Sequence, residues 1–132
     1  MANQATIEKA GRLQIKSLNV PDERRVFPKG KLDIVTFASA SVGKAVLEPG
    51  WRWSESVKPI ARTESCQAPH FQYQLSGTLR VIMDDGTEKD LRAGDVSLVP
   101  PGHDAWVVGS ERVVLVDFQG MGEYAKAAGG KK

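Results

Sequence analysis

The chain has 132 residues, 41% hydrophobic and 26% charged, which is enough for one globular domain whose core needs no disulfide or metal. Its net charge of +2, without a run of lysine or arginine, argues against a nucleic-acid partner. A single cysteine excludes an internal disulfide, and no apolar run approaches membrane-spanning length. We therefore expect a soluble, cytoplasmic protein with no membrane partner.

The first thirty residues predict an arm, a strand and a loop ahead of the main fold. Residues 1–11 are polar and small, which is typical of a loose arm. Residues 12–18 alternate polar and apolar side chains, as a half-buried strand does. Residues 19–31 contain two prolines and a glycine among charged side chains, which favours a loop packed on the domain.

From residue 32 onward, short strands alternate with glycine and proline turns. The predicted strands are 32–38, 42–47, 71–75, 78–83, 87–91, 96–99 (buried), 103–108 and 112–118. The segment 51–66 interrupts the pattern, and residues 121–128 contain helix formers that predict a short terminal helix. So many short strands with turns every eight to twelve residues indicate an all-β sandwich or barrel.

Several short motifs mark the strand ends of the second half of the chain. They are Gly77 to Val81 (GTLRV), Asp85-Gly86, Ala93 to Val96 (AGDV) and Pro100 to Gly102 (PPG). With these motifs, residues 47–118 resemble the cupin superfamily. The resemblance implies a double-stranded β-helix, or jelly-roll barrel, over residues 31–120. Residues 1–30 would pack on this barrel as arm, strand and loop, and residues 121–132 would form a terminal helix or tail. It also implies a homodimer.

The usual metal ligands of the superfamily are replaced in this chain. Metal-binding cupins usually offer two histidines and a glutamate in the first motif and one histidine in the second. Counting from the motifs, His70 stands in the place of the glutamate, and residues 63–66 (TESC) in the place of the two histidines. Ala105 occupies the place of the last histidine, with His103 two residues earlier. None of the four ligand positions therefore holds the residue that metal-binding cupins usually have there.

The replacements still form a pattern. Cys66 and His70 are four residues apart, and His103 shares the parity of Ala105, so all three predict side chains on one interior face. One thiolate and two imidazoles suit a divalent metal, zinc before iron or copper. Glu64 shares the parity of Cys66 and is a candidate fourth ligand or acid/base group. The alternatives are a small buried hydrophobe at Cys66, a backbone cap at His70 and a rim residue at His103.

Other side chains are candidates for binding a substrate. Gln72 and Gln74 follow the first histidine at even steps and should face the same interior, which favours a wet or ligand-filled cavity. A bulge that turns one of them outward is the alternative. Trp53 and Trp106, with Trp51, are candidates for the wall of the cavity mouth. Tryptophans in the core or at a dimer interface are the alternative.

Two functions follow from these residues. The first is a metal-dependent enzyme of oxygenase, isomerase or decarboxylase type acting on a small organic molecule. In it Cys66, His70 and His103 hold the metal. Gln72 and Gln74 orient the substrate, and Glu64 transfers protons. The second is a metal-free cupin that binds or senses a small molecule without catalysis. Fold alone does not choose between them.

Overall fold

The computed structural model describes residues 11–38 and 40–119, and within them it has nine strands and two short helices. The helices are α1 (Trp53–Ser56) and α2 (Lys58–Ala61). The strands are β1 (Glu23–Phe27), β2 (Gly30–Thr36), β3 (Ser41–Leu47), β4 (His70–Ser76), β5 (Thr78–Met83), β6 (Glu88–Leu91), β7 (Val96–Val99), β8 (His103–Val108) and β9 (Val113–Asp117). Within this described part, neither helix is long and apolar enough to cross a membrane.

The strands form two antiparallel sheets, which confirms the all-β prediction. One sheet has six strands in the order β1-β2-β3-β9-β4-β7, and the other has three in the order β6-β5-β8. Buried apolar side chains from both sheets form one core cluster that also includes residues of the segment 51–66. The neighbours β3-β9 and β9-β4 are far apart in sequence, so the sheet closes through long crossovers rather than simple hairpins.

Strict alternation on three strands determines which side chains enter the interior. On β4 the buried residues are His70, Gln72 and Gln74, while their neighbours are exposed. On β8 they are His103, Ala105 and Val107, and on β9 they are Val113, Leu115 and Asp117. Because side chains on a strand alternate between faces, the parity used in the sequence predictions holds on these strands.

The N-terminal predictions are wrong in two places. Residues 12–18 form no strand, and Leu13 and Ile15 are 86% and 82% exposed. Lys16 anchors this segment through Nζ, which donates to a carboxylate oxygen of Asp22 and to the carbonyl oxygen of Thr36. Residues 19–31 are not a loop, because they contain β1, which forms a hairpin with β2. The two prolines lie outside β1, so they do not break the ladder.

Two further predictions need correction. The segment 51–66 coils into α1 and α2, and Trp51 and Trp53 are both buried at 2% exposure, so neither offers area to an interface. Strand β7 was expected to be buried, but it is the edge of the six-stranded sheet and leaves Val96 and Leu98 64% and 74% exposed. The predicted helix 121–128 and most of the predicted arm 1–11 lie outside the described residues.

Candidate metal centre

Three elements bring Cys66, His70 and His103 together at one end of the fold. His70 begins β4 in the larger sheet, and His103 begins β8 in the smaller sheet. Cys66 lies in the loop after α2 and bridges to His103, whose carbonyl oxygen accepts from the Cys66 N–H at 2.7 Å. All three side chains are buried. The cluster therefore spans the gap between the two sheets.

The ligand atoms of these residues nearly share one point. Cys66 Sγ lies 3.9 Å from His70 Nε2, and the two imidazole centroids are 5.2 Å apart in an edge-on arrangement. One ligand atom from each of the three residues lies within 4.8 Å of the others. Ligand atoms around a tetrahedral zinc ion are about 3.3 to 3.8 Å apart, so a small inward shift of the side chains closes the site.

A buried carboxylate orients His70. Its Nδ1 donates to Asp117 Oδ2 at 2.5 Å, and Asp117 is 0% exposed. Backbone N–H groups of Phe71 and Gln119 also donate to Asp117, at 3.1 and 2.9 Å. With its Nδ1 engaged in this way, His70 presents Nε2 to Cys66, as a metal-ligating histidine with a carboxylate partner does.

His103 is oriented by the backbone instead. Its Nδ1 donates to the carbonyl oxygen of Pro100 at 2.9 Å, within the stiff Pro-Pro-Gly corner before β8. His103 is only 4% exposed, so the rim position considered as an alternative does not describe it. Both imidazoles are therefore held through Nδ1, so Nε2 is the ring nitrogen that each would offer to a metal ion.

Asp117 is the residue that the sequence analysis missed. It ends the apolar strand β9 and shares parity with the buried Val113 and Leu115. A carboxylate at an inward position of an apolar strand is costly to bury unless it is hydrogen-bonded, so the parity itself was a signal for a functional or positioning role. Only the fold shows that its partner is His70, 47 residues away.

The electrostatics of the cluster favour a thiolate beside an imidazolium. Burial raises the pKa of Cys66, but hydrogen bonds from His103 and His70 outweigh burial and lower that pKa to about 6. Burial lowers the pKa of His70, but the bond to Asp117 and then the bond to Cys66 raise it to about 9. In the absence of a metal, Cys66 and His70 are therefore oppositely charged at neutral pH.

A pocket opens next to the two imidazoles. Its volume is about 420 Å³, counted together with the solvent space at its opening. Three of its twelve lining residues are polar, namely His70, Gln72 and His103, and the other nine are apolar, including Trp51 and Trp53. Cys66 lies beside the imidazoles but is not part of the lining. Gln72 and Trp53, which the sequence analysis named as candidates for substrate binding, thus both line this pocket.

Glu64 does not join the cluster, contrary to the sequence prediction. Its carboxylate lies 3.4 Å from Lys58 Nζ, and its side chain is 99% exposed. The parity argument failed because the chain before Cys66 is not extended: Arg62 ends α2 with a φ of 63°. The structure therefore places Glu64 at the surface, away from the three residues of the cluster.

Two predicted pocket residues lie elsewhere. Trp106 has the opposite parity to His103 and packs outside, where the guanidinium of Arg52 lies 4.1 Å from its ring centroid. Gln74 faces inward, as predicted, but does not line the pocket. Its Nε2 donates to the carbonyl oxygens of Gly77 and Leu91, both at 2.8 Å. Gln74 therefore supports the turn after β4 and is not one of the residues that line the pocket.

Comparison with known proteins supports the fold but no particular activity. No family model and no curated protein matches the sequence. Among solved structures, a variant of Bacillus subtilis oxalate decarboxylase has a TM-score of 0.54 at 22% identity, covering 78% of this chain and 29% of that one. A protein of unknown function from Acinetobacter sp. has a TM-score of 0.53 at 16% identity, covering 74% and 90% of the two chains. KdgF from Halomonas sp. has a TM-score of 0.51 at 15% identity, covering 73% and 86%.

These likenesses, together with the two antiparallel sheets, identify the fold of the chain. The chain has the cupin fold, a jelly-roll barrel, as the motifs around Gly77, Gly94 and Gly102 predicted. Its Cys/His/His cluster lies in the barrel, within reach of one shared ion. Because these identities are below 25%, the comparison supports the fold and nothing beyond it.

Proposed function

We propose that this cupin binds a divalent metal ion through Cys66, His70 and His103 and acts with it on a small organic molecule in the adjacent pocket. The observation that carries the proposal is the convergence of one sulfur and two oriented imidazoles at a buried point. Chance burial of three such residues does not require that each imidazole be held at Nδ1 by its own acceptor, as both imidazoles are here.

The donor set fits zinc best. One thiolate and two imidazoles are common zinc ligands, and three protein ligands leave one position open for water or substrate. The pKa of about 6 at Cys66 supplies a thiolate at neutral pH, which metal binding requires. His70 has to release a proton before it binds a metal, because its pKa is raised to about 9. Metal affinity should therefore rise with pH through the neutral range.

The residues of the pocket define the kind of reaction. A bound divalent ion would supply Lewis-acid chemistry at the open position. Gln72 would orient the substrate, and the apolar wall with Trp53 would exclude water. Because zinc has no redox chemistry, a zinc site favours isomerisation or decarboxylation, whereas iron or copper would favour oxygen chemistry.

A metal-free binding protein is the second candidate, and one observation favours it. Cys66, His70 and Asp117 form a chain of alternating charges in which the imidazolium is paired on both sides. Such a chain is electrostatically complete without an ion. In this alternative the cluster stabilises the barrel, and the pocket binds a small molecule without catalysis.

Metal analysis separates the two candidates. Protein purified without added metal should contain close to one equivalent of a divalent ion, and Cys66→Ser should reduce the affinity for zinc at least tenfold. Replacement by cobalt(II) should add a thiolate charge-transfer band that Cys66→Ser abolishes. Glu64→Gln is the matched control and should retain the metal, since Glu64 is exposed. Protein that stays metal-free after incubation with zinc, iron and copper would favour the metal-free alternative.

The expected homodimer has a plausible surface. On the outer face of the larger sheet, β4 and β7 carry an apolar patch, the outer strip, formed by Phe71, Tyr73, Leu75, Val96 and Leu98. We propose that a second copy pairs with β7, so that the outer strip continues across both copies. Among the described residues β7 has no strand partner on its far side, so two copies related by a twofold axis can pair edge to edge.

A further inference from the structure

The polar groups of the pocket are concentrated at one pole. The two imidazoles and Gln72 lie together because β4 carries His70 and Gln72 on one face, and β8 brings His103 across from the other sheet. The nine other lining residues are apolar. A ligand that fills this pocket is therefore expected to have one polar end and an apolar body.

Gln72 points to a ligand. Its side chain is 4% exposed and lines the pocket, and its amide makes no hydrogen bond with any described residue. Leaving a buried amide without a partner costs about 1 to 3 kcal/mol. Gln74, two residues along the same face, differs from Gln72 because its Nε2 donates to two carbonyl oxygens, although its Oε1 has no partner among the described residues. The Gln72 amide is thus free to donate to a bound molecule.

The charge of the site limits what the polar end carries. None of the described lining residues is a lysine or arginine. A divalent ion with one thiolate ligand retains one positive charge, which balances a single anionic oxygen group. A second anionic group would be buried without a partner, and the carboxylate of Asp117 behind His70 adds to the repulsion.

The pocket also restricts the body of the ligand. Two buried indoles, Trp51 and Trp53, contribute flat apolar surface to its wall. The pocket is small, because its volume is only about 420 Å³ even when the solvent space at its opening is counted, so it limits the ligand to a compact body. Planar rings pack well against indole faces in such a space.

We infer that the pocket selects a small planar molecule with one acidic oxygen group, a monocarboxylate or a phenolate, and that the Gln72 amide donates to that group. This inference rests on the proposed function, because the metal ion would balance the charge. It excludes sugar phosphates and dicarboxylates as ligands of this pocket, since their further anionic groups would have no partner in its wall.

Benzoate and phthalate test the inference, because they share a ring and differ by one carboxylate. Binding to the metal-loaded protein is measured by calorimetry and by tryptophan fluorescence in a Trp106→Phe background, which leaves the two pocket indoles as reporters. Benzoate should bind at one per chain and at least tenfold tighter than phthalate. Gln72→Leu should weaken benzoate about tenfold, whereas Gln14→Leu, at an exposed position outside the pocket, should not.

The outcomes separate the inference from the proposed function. Metal content is measured on every sample. Metal-loaded protein that binds phthalate as tightly as benzoate, binds neither, or binds benzoate unchanged in Gln72→Leu overturns the inference and leaves the metal site standing. Protein that holds no metal overturns the proposed function, and the inference falls with it.

Discussion

Each imidazole of the cluster is held by a hydrogen bond at Nδ1, and the two bonds differ in kind. His103 donates to a neutral carbonyl oxygen, whereas His70 donates to the buried carboxylate of Asp117. A carboxylate partner raises the basicity of the imidazole and fixes its tautomer more strongly than a carbonyl does. His70 is therefore the ligand whose strength depends most on a residue outside the cluster.

Replacing Asp117 with asparagine should weaken the metal site without removing any ligand. Asparagine keeps an oxygen acceptor for the backbone N–H groups but loses the charge that orients His70. We expect zinc affinity to fall about 10- to 100-fold, measured by competition with a chromophoric chelator. Asp33→Asn is the control, because Asp33 is a buried carboxylate on β2 that pairs with Arg24. Equal zinc affinities for wild type and Asp117→Asn would contradict this role.

The metal-free protein should be most stable between about pH 6 and pH 9. The pKa of Cys66 is lowered on folding from 9.0 to about 6, so its contribution is fully present above pH 9 and is lost as pH falls through 6. The pKa of His70 is raised from 6.5 to about 9, so its contribution is present below pH 6.5 and is lost as pH rises through 9. The free energy of unfolding, measured with denaturant across this pH range, should therefore be highest and nearly constant between these two pKa values.

The Cys66→Ser variant measures how much the thiolate contributes to the pH dependence of stability. The difference in unfolding free energy between wild type and this variant should shrink as the pH falls toward 6, and thiolate absorbance should titrate in the same region. A thiolate signal that appears only near pH 9, the ordinary value for cysteine, would show that the imidazoles do not stabilise the charge.

At the scale of single elements, parity predicted side-chain direction only where the chain is extended. It placed His70, Gln72 and His103 correctly because all three lie on strands. It failed for Glu64, because Glu64 follows the left-handed residue Arg62 after α2, where the chain is not extended. The pocket-wall position predicted for Trp106 did not use parity, which places Trp106 on the opposite face of β8 from His103. Periodicity cannot report a helical turn four residues long, so the segment 51–66 was not predictable in detail.

The turn after β4 depends on a glycine for steric reasons. Gly77 has a φ of 75°, and a Cβ there would meet the carbonyl oxygen of Arg112 at 2.5 Å and the Cα of Val113 at 2.9 Å. Gly77→Ala should therefore destabilise the protein by more than about 2 kcal/mol, measured by denaturant unfolding. Gly86→Ala is the matched control with a φ of 93° and open space, and it should cost about 1 kcal/mol. Similar losses in both variants would show that only the φ angle matters.

At the scale of the whole molecule, the sequence predicted the barrel but not its edges. Glycine turns and alternating strands were enough for an all-β sandwich or barrel, because both signals are local. The jelly roll itself was predicted from the resemblance of the turn motifs to the cupin superfamily. The pairing of β9 between β3 and β4, which brings Asp117 to His70, joins residues far apart in the chain. Which strand lies at an edge also depends on the complete sheet, so the exposure of β7 could not be predicted from its apolar residues.

The outer strip should control association of the chain. Sedimentation velocity of the wild type should show a dimer, and Leu98→Lys should shift it to monomer, because a charge on an edge strand opposes edge-to-edge pairing. Lys89→Leu, on β6 in the other sheet, should leave the dimer intact. A wild type that sediments as a monomer, or a Leu98→Lys variant that stays dimeric, would refute this surface.

The backbone bridge between Cys66 and His103 has a consequence for how the protein would acquire the proposed ion. The bridge is closed by main-chain hydrogen bonds at 2.7 Å, from Cys66 N–H to His103 and from Gly102 N–H back to Cys66. Main-chain bonds form whether or not an ion is present, unlike the ligand cage of a zinc finger, which collapses when it is emptied. Folding would thus not depend on metal loading, and the metal-free barrel should keep the backbone geometry that a metal ion requires.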